Sequence, residues 1–166
     1  MDSKTIMDLT GQYILNTYGR FPVAIDHGQG ARLYSPEGRE YIDFTSGIGV
    51  NSLGYGNPKW MAAITEQIGK LGHLSNLFYT QPGTLLAQQL CTRSGMDKVF
   101  FGNSGAEANE AMIKVARKYS FDKYGKGRST ILTLNRSFHG RTITTLTATR
   151  PVSYTHLRAH ETELHL

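Results

Sequence analysis

The sequence predicts an α/β fold built on a parallel sheet. Three observations carry that prediction. "DKVFFGN" (97–103) and "STILTLN" (129–135) read as buried strands, and a long helical pattern (105–122) lies between them. The eighteen glycines fall at breaks between patterned segments rather than in a low-complexity run. Strand, helix, strand in that order is the signature of a parallel pair with a crossover helix.

The elements follow in chain order. Residues 4–18 place Ile6, Leu9, Tyr13, Ile14 and Tyr18 at helical spacing, which predicts a short amphipathic helix. "FPVAIDHGQG", "ARLYSPEGR" and "EYIDF" follow as three short extended pieces. They form a β meander turning at Gly28-Gln29-Gly30 and at Pro36-Glu37-Gly38. "TSGIGVNSLGYGN" (45–57) is a glycine-rich loop. Pro58 then opens a helix capped by Asn57, running to about Gly72 through Met61, Ile64 and Ile68. The polar-aromatic loop "HLSNLFYTQPG" precedes a second helix at 83–94. The long helix at 105–122 is expected to turn Ala108, Met112, Val115, Ala116 and Tyr119 inward. No internal repeat is visible.

Composition narrows the class. The chain has 166 residues, with 39% hydrophobic and 19% charged residues and a net charge of +5, as a soluble globular chain would have. Its basic residues are scattered, apart from Lys123, Lys126 and Arg128, which read as a solvated helix end; no basic stripe interleaves with aromatics, which argues against a nucleic-acid surface. The single cysteine, Cys91, excludes an internal disulfide and a multi-cysteine metal site, and is expected to be a buried, inert thiol. The N-terminal stretch has early acids and no apolar h-region, and no apolar run is long enough for a membrane span. A cytoplasmic location is the expectation.

Chemistry concentrates at "FFGNSGAEANEA". Ser104 is a good N-cap, and Glu107 completes the pattern of a capping box. Gly105 and Ala106 have almost no side chain to block the first turn, whose free N–H groups and helix dipole suit an anion, above all a phosphate. Such caps are common, however, and most bind nothing. The segment lacks the lysine of a P-loop, and no G-x-G-x-x-G follows an early strand, so a generic nucleotide site is disfavoured.

A second loop, "SFHGRT" (137–142), follows the next expected strand and should reach the same sheet edge. Phe138 offers a ring face for a flat heteroaromatic ligand, and Arg141 a guanidinium for bidentate carboxylate binding. Taken singly, Phe138 reads as core, His139 as a satisfied loop histidine and Arg141 as a surface cation. Together, on adjacent strand ends, they argue for a site.

"NSGAEANEAMIKVAR" followed by "FHGRT" resembles the class-III, pyridoxal-phosphate-dependent aminotransferases. "GARLYSPEGREYIDFTSGIGVNSLGYGNP" and "HLSNLFYTQPGTLLAQQL" resemble more narrowly the acetylornithine subgroup, and the resemblance covers roughly residues 10–150. It implies the N-terminal part of a fold-type-I transferase. On that reading 1–57 is the helix and meander of the small domain, and 58–151 the start of the cofactor-binding large domain. Gly105 and Ala106 would hold the cofactor phosphate, Phe138 would lie against the pyridine ring, and Arg141 would meet the substrate α-carboxylate. Many relatives carry threonine where this chain has Ala106, which removes one hydroxyl contact but leaves the backbone donors. Ser75, Asn76 and Tyr79 sit in a loop that lies near the subunit interface in relatives, and receive no role.

The implied reaction moves an amino group between N-acetylornithine and 2-oxoglutarate, in arginine biosynthesis, by a cytoplasmic homodimer. The alternatives are another ω-amine aminotransferase (ornithine, succinylornithine, 4-aminobutyrate or succinyl-diaminopimelate), a short phosphate-ligand module, or an inactive fragment without a stable fold. Family chemistry needs a Schiff-base lysine and a carboxylate at the pyridine nitrogen. None of the lysines here has the family's lysine context, so no catalytic residue is assigned, and the chain itself is expected to be inactive. The tail "VSYTHLRAHET" (152–162) resembles one frame of a sequencing-library adapter, and 152–166 is therefore read as non-native. Its "HETELH" resembles a zinc motif, but His160 and His165 are five apart, about 140° around a helix. No metal is expected. A sheet cut this short would leave an unpaired edge and uncovered helix faces, so instability in isolation is expected.

Overall fold

Helix α1 (Ser3–Tyr13) begins where the Asp2 carboxylate accepts the Thr5 N–H at 2.7 Å. This is a computed structural model describing residues 1–149; the tail at 152–166 and its histidines lie outside the described residues. Contacts divide the chain into two units, Met1–Phe78 and a second beginning at Tyr79. Helix α1 stops at an extended Ile14, short of the expected Tyr18. Ile6 and Ile14 instead help line an apolar cleft of about 930 Å3 with Phe21, Ile25, Leu33 and Phe44.

The meander forms as expected in order, with shifted turns. Strands β1 (His27–Gln29), β2 (Arg32–Tyr34) and β3 (Glu40–Ile42) are antiparallel neighbours in the order β1-β2-β3. His27 pairs with Tyr34 and Gln29 with Arg32, so the first reversal falls at Gly30-Ala31 rather than at 28–30. At the second turn the buried Ser35 hydroxyl accepts the N–H groups of Glu37 and Arg39. The Glu37 carboxylate in turn accepts the Ser3 N–H and hydroxyl at 2.7 and 2.6 Å, tying this turn to the start of α1. Those bonds, the Ser3 hydroxyl first, hold Glu37 far below the ordinary carboxylate range, at about 2.

The glycine-rich loop docks on the meander. Gly30 and Tyr55 exchange backbone hydrogen bonds at 2.9 and 2.8 Å. A Cβ at Gly54 would lie 2.8 Å from the Gly30 carbonyl oxygen, so only glycine permits this approach. Asp43 accepts from the Thr45 hydroxyl and N–H and from the Tyr55 hydroxyl. Thr45 first and Tyr55 next hold the Asp43 carboxyl low, while the bond to Asp43 pushes the Tyr55 phenol up. The short turn α2 (Ser46–Gly49) has positive φ throughout, including Ser46 at 42° and Ile48 at 62°. Left-handed backbone costs about 1–2 kcal/mol at each non-glycine residue. Helix α3 (Pro58–Lys70) carries the expected cap, Asn57 accepting from Lys59 and Trp60 at 3.1 Å each.

In the second unit, α4 (Gln81–Ser94) ends at a left-handed Gly95, and Cys91 is a free thiol only half-buried, less covered than expected. Helices α5 (Gly105–Tyr124) and α6 (Ile143–Ala148) complete the described elements. Two sequence expectations fail here. Neither 97–103 nor 129–135 is a strand, and the sheet among the described residues is the antiparallel meander alone. Parallel strands need a hydrogen-bonded neighbour and cover on both faces, and the described residues supply neither. Phe100 is 67% exposed and Leu132 91%.

The inner face of α5 is also not the expected one. Ile113 is buried, with Ala106, Asn109 and Glu110 half-buried on the same face. Met112, Val115 and Tyr119 are exposed. The reason lies in the partner: α6 covers the face carrying Asn109 and Glu110, which offers it hydrogen bonds as well as packing. The basic group at the end of α5 is exposed, as expected of a solvated helix end, and it also meets aromatic rings. Lys123 lies over the rings of Tyr119 and Tyr124, and Arg128 sits 4.5 Å from the Tyr124 ring centroid. No helix among the described residues is long and apolar enough to cross a membrane.

Candidate functional site

The start of α5 leaves its first backbone donors open. Ser104, in extended conformation, accepts the Glu107 N–H through its hydroxyl and the Ala108 N–H through its carbonyl oxygen. The Glu107 carboxylate bonds the N–H of Asn103, one residue before the cap, so the capping box is displaced by one position. Among the described residues the N–H groups of Gly105 and Ala106 donate to no protein acceptor. Nothing lies within 4 Å of where a Gly105 Cβ would stand. Two free donors at a positive helix end, with open space before them, suit a phosphate.

The second loop reaches this helix start without a sheet to carry it. Gly140, at φ 134°, packs so closely that a Cβ there would lie 2.7 Å from Ala106 Cβ and 2.6 Å from Thr145 Oγ1. Asn109 Nδ2 donates to the His139 carbonyl oxygen at 2.6 Å, and the His139 N–H donates to Thr149 Oγ1 at 2.8 Å. The next residue of α5, Glu110, accepts the Thr142 hydroxyl at 2.6 Å. Thr145 and Thr149 are fully buried. The two halves of the expected site are thus brought together by α5–α6 packing and side-chain hydrogen bonds, not by adjacent strand ends.

Phe138 and Arg141 project from this anchored segment. The Arg141 guanidinium lies 5.6 Å from the Phe138 ring centroid, and the ring is 62% exposed, so Phe138 is not a core residue. His139 differs from the satisfied loop histidine in one respect: both of its backbone groups are paired, while Nε2 is buried without a partner among the described residues. No group of three metal-ligating side chains occurs among the described residues.

Asn109, Glu110, Thr145 and Thr149 carry no role in the sequence expectation, and α6 itself has no counterpart there. The five threonines between 142 and 149 favour extended backbone by propensity. The available signal was the Thr142-x-x-Thr145 spacing, which forms a reciprocal capping box.

Comparison with known proteins gives the class first. The N-acetylornithine aminotransferase of Stenotrophomonas maltophilia matches with a TM-score of 0.69 and 41% identity, over 81% of this chain and 36% of that one. The ornithine aminotransferase of Toxoplasma gondii, whose structure shows partial occupancy of PLP at its active site, matches with a TM-score of 0.84 and 28% identity, over 92% and 36%. The fold is therefore the N-terminal part of a fold-type-I aminotransferase. The aminotransferase class-III family matches residues 13–165. The chain belongs to that family. Among curated relatives, the acetylornithine aminotransferase of Haemophilus ducreyi is 58% identical over 149 residues, 90% of this chain and 38% of the relative. The chain thus spans well under half the length of the relatives it matches, and the family match runs on past residue 151.

Proposed function

We propose that this chain supplies the phosphate cup, the ring face and the carboxylate clamp of a pyridoxal-phosphate-dependent acetylornithine aminotransferase. The observation that carries the reading is the packing of Gly140 on Ala106, which brings the loop carrying Phe138 and Arg141 against a helix start with two unpaired N–H groups. Gly105 and Ala106 hold the phosphate through those N–H groups, aided by the helix dipole. Phe138 covers one face of the pyridine ring, and Arg141 binds the substrate α-carboxylate bidentately. When bound, the cofactor supplies the electron sink for amino-group transfer. The residues described here only bind and orient. The lysine and the acid that complete the chemistry are assigned to no position in this chain.

The 58% identity to a named acetylornithine aminotransferase supports N-acetylornithine and 2-oxoglutarate as the substrate pair. That pair implies arginine biosynthesis, and we place the whole protein in the cytoplasm as a homodimer. Ornithine is the second reading, favoured by the higher structural likeness to the Toxoplasma gondii ornithine aminotransferase.

Gly105→Val in the full-length protein tests the cup. A branched side chain at the open face should weaken pyridoxal phosphate by about tenfold or more, the equivalent of a lost charge-assisted hydrogen bond. Absorbance titration of the cofactor-free protein reads it; unchanged affinity sinks the assignment.

A further inference from the structure

The residues expected to touch ligand, Phe138 and Arg141, are exposed, and the residues between them are held from elsewhere. His139 lies in no strand or helix, so no ladder or helical bond fixes it. Its carbonyl oxygen is taken by Asn109 of α5 at 2.6 Å, and its N–H by Thr149, just beyond α6, at 2.8 Å. Thr149 Oγ1 completes its bonding to the Thr145 carbonyl oxygen at 2.7 Å, with the Gly140 carbonyl oxygen at 3.3 Å. The hydroxyl is fully buried, so no water replaces it if it is removed.

Asn109 stands one turn beyond Ala106 on the same helix. Its bond to His139 therefore sets the distance between the helix start and the ring and guanidinium on the loop. Small misplacements of orienting groups cost large factors in rate, so the loop needs such a tie.

We propose that Asn109 and Thr149 are positioning residues: a two-sided clamp on the His139 backbone that holds Phe138 and Arg141 in register with the Gly105–Ala106 helix start. The inference rests on the cofactor reading for what the loop faces. The clamp acts through the loop and touches no ligand.

Asn109→Ala, Thr149→Val and Thr149→Ser in the full-length holoenzyme test it, with Gly105→Val alongside. In the cofactor-free protein, Asn109→Ala and Thr149→Val should raise amide exchange at 138–141 by on the order of tenfold, the cost of one buried hydrogen bond. In the loaded enzyme both should raise KM for the amino-acid substrate by a similar factor, about tenfold, with a smaller fall in kcat. Thr149→Ser keeps the oxygen and should restore both readouts. Lower melting temperatures with unchanged loop exchange and unchanged KM would overturn the clamp, leaving a purely structural role. If Thr149→Val does not fold, Asn109→Ala decides by the same two readouts. Normal cofactor affinity in Gly105→Val rejects the cofactor reading. Loss of affinity there with silent clamp variants rejects the clamp alone.

Discussion

Gly140 shows how much one absent methyl carries. Its backbone sits at φ 134°, and a Cβ would meet Ala106 Cα at 3.0 Å, an atom of a helix that cannot yield. Gly140→Ala should therefore push the loop off α5 and cost about 1–3 kcal/mol through strain and overpacking. Denaturant midpoints of the full-length variant measure the stability loss, and faster amide exchange at His139 reports the displaced loop. An unchanged midpoint would mean the loop reaches the helix by other contacts. His139 sits beside this contact with Nε2 sealed from solvent and unpaired among the described residues, a costly arrangement for a polar atom.

The helices illustrate a different rule, that amphipathic pattern names a face without naming its partner. In α5 the apolar stripe stays exposed, while the mixed face with Asn109, Glu110 and Ile113 is the one α6 covers. Helix α1 is held by its N-cap and by the tie of Ser3 to Glu37. Glu37 has an ordinary value of 4.5 and a folded value of about 2. Because folding lowers its pKa, its contribution is fully present above 4.5 and disappears as pH falls toward 2. Asp2 and Asp43, also held low by hydrogen bonds, act in the same direction. Helix α1 should accordingly loosen from the meander between pH 4.5 and 2, seen as faster exchange of the Ser3 amide, and Glu37→Gln should abolish that pH dependence. A wild-type Ser3 amide indifferent to acid would refute the tie.

Ala24 and Ile113 are the buried apolar residues among those described. Phe44, Ile48, Leu132 and Tyr79 lie almost fully open, and the apolar faces of α3 and α5 are uncovered. Exposed apolar surface on that scale is found where more protein packs against it. Expressed as the 166-residue chain, the protein should bind a hydrophobic dye and unfold over a broad range. Amide protection should be weak at 99–102 and 130–134, which lack ladder bonds. A sharp two-state transition with strong protection there would show that the chain is self-sufficient.

Local signals were legible where the physics is local. The Asn57 and Ser104 caps, Pro58 at a helix start and the three-stranded meander could be read from residue types and spacing, because a cap or a turn is satisfied within a few residues. Motif identity, too, was sufficient to name the family. The strands expected at 97–103 and 129–135 do not form because an apolar run reports only that it wants covering, and a ladder exists only when a neighbour arrives. Helix α6 and the roles of Asn109 and Thr149 were invisible for a related reason. Their hydrogen bonds join residues ten to thirty positions apart, and no local pattern encodes which distant carbonyl a side chain will find.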